Sequence, residues 1–218
     1  MTLHDLSHVI EHGMITYKGL PAPLVCDYWS HEESRAHYDE GTEFQIGRIE
    51  MVSNTGTYVD SPFHRFRDGK DLSELPLEPL AGRDAVVIDA DGAIGPDAFA
   101  GLDLRGRAAL FRTGWDRHWR TNRYFEGHPH LTAEAAEALV AGGAAIVGID
   151  SLNIDDISSG SRPVHTTLLR VEIPIVEHLA GLAGLPPEGA RFYAVPVKVK
   201  AFGTFPVRAF AEVKEGTQ

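Results

Sequence analysis

A mixed α/β fold in which strands outnumber helices is what this sequence predicts, on three observations. Six short apolar runs are bounded by turn formers, at 44–52, 85–89, 107–112, 144–149, 192–199 and 207–213. Only the segment 133–141 carries a full set of helix start and stop signals. Gly and Pro, with 22 and 13 copies in 218 residues, punctuate the chain too often for many long elements.

Taken in order, the run 44–52 ends where Ser53, Asn54 and Gly56 favour a turn, and 85–89 gives way to Gly92. The run 107–112 sits between Gly106 and Gly114. The helix at 133–141 has Thr132 as its N-cap, Glu134 at its positive end, and Gly142 with Gly143 to stop it, so that it feeds the strand at 144–149. A second helix is expected over 165–171 and a third over about 175–182, with Pro174 placed to begin it. Pro196 makes 192–199 an edge or interrupted strand, and 207–213 closes the series.

The length suits one domain over 1–218. The net charge of -11, with 20 Lys and Arg against 31 Asp and Glu, argues against a nucleic-acid surface, because phosphate binding needs clustered cations. Cys26 is the single cysteine, which excludes an intramolecular disulfide and a Cys-rich zinc site. The opening residues carry neither a basic leader nor a long apolar stretch, so the expectation is a soluble, cytoplasmic protein with no membrane partner.

The chemistry concentrates in Asn54-Thr55-Gly56-Thr57-Tyr58-Val59-Asp60-Ser61-Pro62-Phe63-His64. Pro62 disfavours helix at Ser61, and in an extended segment the period of two sends Asn54, Tyr58, Asp60 and His64 to one side and Val59 and Phe63 to the other. Asp60 and His64 offer an oxygen donor and an imidazole, the pair a hydrolytic metal site needs; a solvated surface turn explains them equally well. Downstream, His165 and Glu177 frame a mostly apolar stretch. A buried Glu177 needs a partner, which a metal shared with His165, an Arg or solvent could each supply.

These residues resemble the metal-dependent cyclases and hydrolases of the kynurenine formamidase and isatin hydrolase type. The resemblance covers nearly the whole chain: Asp5 to His8, Gly13-Met14, Tyr17 to Gly19, Arg112 to Trp115, Gly148 to Ser151, His165 to Leu179, and Pro206 to Arg208. It implies a swivelling β/β/α-type architecture, an arylformamidase-like activity in tryptophan catabolism, a homodimer or homotetramer, and pockets completed by neighbouring subunits. The family signature reads His-x-Gly-Thr-His-x-Asp-x-Pro-x-His, and here Asn54 and Tyr58 stand where its first two histidines should be.

Carried over position by position, the resemblance implies Asp60, His165 and Glu177 as ligands of one divalent metal, Zn or Mn. It makes His64 the general acid/base and leaves Asn54 as at most a weak oxygen ligand. Tyr58 could then donate a hydrogen bond to a developing oxyanion. Tyr17, in the opening that borders such sites, is the candidate substrate contact. The implied reaction is hydrolysis of an amide or lactone carbonyl by metal-activated water; the competing class is a non-catalytic small-ligand-binding protein of the same fold.

A serine hydrolase lacks its Gly-x-Ser-x-Gly elbow here, and no nucleotide-binding fingerprint is present. His128 and His130 read as surface loop around Pro129, and His8 and His178 have no spacing that sets them apart among 11 histidines. Arg112 is expected to pair with an acid, and Asp150 and Asp155 to be buried polar supports.

Overall fold

The structure, a computed structural model, describes residues 1–214. Its centre is a nine-stranded mixed sheet, in the order Thr2–Asp5, Phe210–Val213, Ala190–Tyr193, Ala81–Asp89, Ala108–Arg112, Ile146–Ile149, Ile175–Glu177, Tyr58–Asp60, Thr204–Pro206. The four strands from Ala81–Asp89 to Ile175–Glu177 run parallel, and every other pairing in this sheet is antiparallel. This is the mixed α/β class the sequence predicts.

The continuous apolar runs at 108–112 and 146–149 become central parallel strands because both of their faces are covered. Alternate residues part cleanly. Val86, Ile88, Ala109, Phe111, Val147 and Ile149 pack under the helices Ala133–Gly142 and Pro163–Arg170. Ala85, Val87, Ala108, Leu110 and Ile146 face a second core with Leu6, Leu179 and Phe192. Gly148 lies where a Cβ would come within 2.7 Å of Leu179 and 2.9 Å of Leu110, so only glycine lets that core close.

The run 204–213 bonds to both ends of the strand order. Thr204–Pro206 pairs with Tyr58–Asp60, Val207 N–H donates to Thr57 O, Ala209 O accepts from Leu6 N–H, and Phe210–Val213 pairs with Thr2–Asp5. The sheet is therefore rolled, with residues 207–209 tying one edge to the other.

Several expectations are corrected. No helix covers 175–182: Ile175–Glu177 is a strand and Leu182–Gly184 a short 3-10 turn, because three consecutive residues find open ladder partners in Val147, Gly148 and the strand Tyr58–Asp60. The predicted strand at 192–199 is instead Ala190–Tyr193 and lies inside the sheet, ending before Pro196. The run 207–213 contains a corner and contributes only Phe210–Val213, while 44–52 yields Ile46–Glu50, paired with Leu24–Trp29 in a separate exposed hairpin. Among the described residues no helix is long and apolar enough to cross a membrane.

Candidate metal centre and cavity

Sheet register assembles the site. Tyr58–Asp60 lies between Ile175–Glu177 and Thr204–Pro206, with Tyr58 opposite Glu177 and Asp60 opposite both Ile175 and Thr204. Cross-strand neighbours share a face, so Tyr58 meets Glu177 and Asp60 meets Thr204, while Val59 turns into the core beside Val176. After Ser61 the chain leaves the ladder in the 3-10 turn Pro62–His64, which differs from the extended segment expected there but still presents His64. Gly203 permits this: a Cβ on it would overlap the His64 backbone.

Glu177 is 1% exposed and, among the described residues, pairs with no arginine. Its Oε1 accepts from Ile154 N–H at 2.6 Å; its Oε2 accepts from the Tyr58 hydroxyl at 2.5 Å and from Asn153 Nδ2 at 3.4 Å. Burial and the charge of Asp60 push this carboxyl up to about 7, against the pull of His165. Burial and Glu177 hold the Tyr58 phenol well above its ordinary range, so Tyr58 is a donor and its proton is directed at Glu177.

On the other side, His165 Nδ1 lies 2.6 Å from Asp155 Oδ2, and Asp155 also caps the start of helix Pro163–Arg170 by accepting from Val164 N–H and His165 N–H. That leaves Nε2 facing inward, 3.6 Å from Asp60 Oδ2 and 3.6 Å from Glu177 Oε1. Burial alone would lower the His165 pKa, but Glu177, Asp155 and Asp60 outweigh it and push it up to about 10. Three buried carboxylates thus call for positive charge at this point.

Asp60 is fully buried. Its Oδ1 accepts from Thr204 Oγ1, whereas Oδ2 has no hydrogen-bond partner among the described residues. Burial would raise this carboxyl, but His64, His165 and Thr204 hold it below the usual carboxylate range. With its one proton given to Asp60, Thr204 Oγ1 can only accept from His64 Nδ1 at 2.8 Å, which leaves His64 Nε2 with its lone pair. The His64 side chain is 33% exposed, the open member of the set.

This arrangement fits a divalent ion. An unpartnered buried carboxylate oxygen costs free energy without a cation or donor. The two 3.6 Å spacings match those between ligands of a four-coordinate ion with bonds of ~2.0–2.2 Å, which lie roughly 3.3–3.6 Å apart. The Asp155 contact is the outer carboxylate that orients a ligating histidine. Among the described residues, the three that bring one ligand atom each within 4.8 Å of one another are Asp60, His64 and His165; Glu177 stands outside that group, 3.6 Å from His165 Nε2.

The site opens into a cavity of about 310 Å³ lined by Tyr17, Asn54, Tyr58, His64, His165 and Glu177, together with Leu20, Arg65, Asn153 and Arg162. Tyr17 donates to Leu152 O at 3.0 Å and accepts from Asn153 Nδ2 at 2.5 Å. Asn54 Oδ1 accepts from Ser53 Oγ at 3.2 Å. All the residues singled out from the sequence therefore converge on one place.

Asn153, Thr204, Arg65 and Arg162 were not predicted. The Asn153 position had a weak signal, following the Gly148 to Ser151 run; Thr204 had none, because its partner is 144 residues away. Asp155 and Asp150 are buried supports as expected, the latter accepting from Thr113 and Gly114, and Arg112 pairs with Asp89 at 2.6 Å. His128 corrects the surface reading: it is 5% exposed, with Nδ1 on Pro129 O and Ser151 Oγ, because Ser151 and the 154–131 backbone contact draw this loop inward. His178, fully buried, packs its ring 5.1 Å from Tyr58 and meets the Tyr124 hydroxyl at 2.8 Å.

A family model described as a putative cyclase matches residues 4–156. The chain is 28% identical over 209 residues to kynurenine formamidase of Bacillus cereus, covering 94% of each protein. It is 29% identical to that of Salinibacter ruber, covering 96% of each. A solved structure described as a potential metal-dependent hydrolase with cyclase activity superposes with a TM-score of 0.80 at 26% identity, over 98% of both chains. Isatin hydrolase A from Labrenzia aggregata, at 22% identity and a TM-score of 0.80 over 98% of this chain and 94% of its own, shares the fold.

Proposed function

This chain belongs to the cyclase family, and we propose that within it the protein is a metal-dependent hydrolase of amide or lactone carbonyls, with an aryl formamide as first substrate. The observation that carries this reading is the buried Asp60 Oδ2, which accepts no hydrogen bond among the described residues and faces His165 Nε2, beside an open His64 in the cavity. Asp60, His165 and Glu177 would hold one divalent ion, Zn or Mn, both of which accept mixed nitrogen and oxygen donors. When bound, such an ion polarises the carbonyl and lowers the pKa of water to ~7.

The chain's own residues supply the rest. His64 Nε2 takes the proton of the attacking water and returns it to the leaving nitrogen or oxygen as the acyl C–N or C–O bond breaks. Thr204 fixes the ring for both transfers. Asp155 fixes His165. Tyr58 donates to Glu177 Oε2, so that oxygen is already partnered within the protein, and this supports a site for one metal. In this reading Tyr58 orients a ligand rather than donating to the oxyanion, and Asn54 and Tyr17 face the substrate.

A homodimer or homotetramer belongs to the same proposal. The hairpin of Leu24–Trp29 and Ile46–Glu50 is exposed along almost its whole length, with Val25, Tyr28, Ile46 and Ile49 open to solvent, and a lone two-stranded hairpin is marginal in water. Light scattering on the purified protein measures the subunit number.

The activity test is a screen of aryl formamides and lactones on metal-loaded protein, with and without chelator. Chelator-sensitive turnover, lost in His64→Gln, is the expected result. Stoichiometric binding of the same compounds without turnover would replace the hydrolase with a binding protein.

A further inference from the structure

We propose that Arg65 and Arg162 form an anion-recognition subsite in this cavity, so that the substrate carries a carboxylate on the side facing the start of helix Pro163–Arg170. The proposal rests on the hydrolase reading above and names its substrate class. Both arginines line the same 310 Å³ cavity as His64, His165 and Glu177. One side chain joins them: Thr166 Oγ1 accepts from Arg65 Nε at 3.0 Å and donates to Arg162 O at 2.7 Å. The first arginine follows His64 directly, and the second lies three residues before His165, so both are tied to the walls that carry the chemistry.

Arg162 is held in place. Its Nη1 donates to Ser159 O and Ser161 O at 2.7 Å each and to Asp156 O at 3.3 Å, while Nε and Nη2 enter none of these bonds. Arg65 is anchored through Nε, leaving both of its terminal nitrogens outside that bond. Among the described residues neither guanidinium forms an ion pair with a carboxylate. Two cations beside a site for a divalent cation oppose metal binding by simple Coulomb repulsion, and in a chain of net charge -11 carboxylates were plentiful as alternatives. An anionic group on the substrate reverses the sign of that cost, and the planar guanidinium fork matches a carboxylate in two-point contact. The volume fits a small aromatic or aliphatic acid.

The test compares 2-formamidobenzoate with formanilide, which differ only in the carboxylate, on zinc-loaded protein. The wild type should favour 2-formamidobenzoate in kcat/KM by on the order of tenfold or more, since a charge-assisted hydrogen bond carries about that factor. Arg65→Gln and Arg162→Gln should each collapse this ratio, mainly through KM, while Arg65→Lys and Arg162→Lys retain part of it. Equal rates for the two compounds in the wild type, or a ratio untouched in both Gln variants, would overturn the proposal. If neither compound is hydrolysed, the aryl-formamide part of that reading fails and calorimetry decides the subsite by itself. Binding of 2-formamidobenzoate at least tenfold tighter than formanilide, and lost in both Gln variants, supports it; equal or absent binding overturns it.

Discussion

The two walls of the site are built on opposite terms. On the Glu177 wall every carboxylate oxygen has a donor, from Ile154, Tyr58 and Asn153, and nothing is exposed. On the Asp60 wall one oxygen is left without a hydrogen bond among the described residues, with only His165 Nε2 near it at 3.6 Å, and the neighbouring His64 reaches solvent. A satisfied buried network is rigid, whereas an unsatisfied oxygen next to a free imidazole nitrogen is where a cation and a proton can still be exchanged. The difference teaches that the first wall holds and the second reacts.

The comparison breaks most sharply at the reacting wall. Asp60→Ala is expected to abolish both metal retention and turnover, because it removes the unpartnered donor; metal analysis and a rate assay read the two effects together. His64→Gln should cost on the order of 10²- to 10⁴-fold in kcat while metal content stays near that of the wild type, the mark of a proton carrier. Equal loss of metal in that variant would make His64 a ligand instead.

Smaller effects belong to the holding side. Asp155→Asn removes the carboxylate behind His165 and should weaken metal affinity roughly 10- to 100-fold with the fold retained, measured by competition with a chelating dye. Tyr58→Phe leaves Glu177 Oε2 with only the long contact from Asn153, and should lower stability by about 1–3 kcal/mol in denaturant titration.

An effect of similar size, confined to low pH, lies behind that wall, where His8 stacks on Trp119 at 3.9 Å and Trp119 in turn meets His178. Burial lowers the His8 pKa from 6.5 to about 4, against Asp116. The unfolded chain therefore binds the proton on this residue first, and the contribution of His8 to stability falls as pH drops from about 6.5 towards 4. His8 accounts for a loss on the order of 1–3 kcal/mol at the lower end, so His8→Phe should reduce the pH dependence in melts taken across that range, with buried His178, lowered to about 3, still contributing.

How much of this was legible depends on sequence distance. Asp60, His64 and Tyr58 share an eleven-residue segment with a readable alternation, and His165 with Glu177 framed an apolar run. Those residues could be assembled without coordinates once the family likeness was seen. Thr204 could not, since its bond to Asp60 spans 144 residues and a threonine in a strand carries no mark of its own. The third helix expected over 175–182 failed for a related reason: apolar residues around Pro174 read equally as helix or strand, and only the vacant ladder positions between Ile146–Ile149 and Tyr58–Asp60 decided it. His128 read as surface loop and His178 as one histidine among many until burial set them apart.

The central claim is one ion held between the two walls. Metal content per subunit, measured on protein purified without chelator and then incubated with Zn or Mn, tests it directly when the wild type is compared with Glu177→Ala. The account predicts close to one equivalent in the wild type and a clear loss in the variant. Two equivalents, or none in either protein, would contradict it.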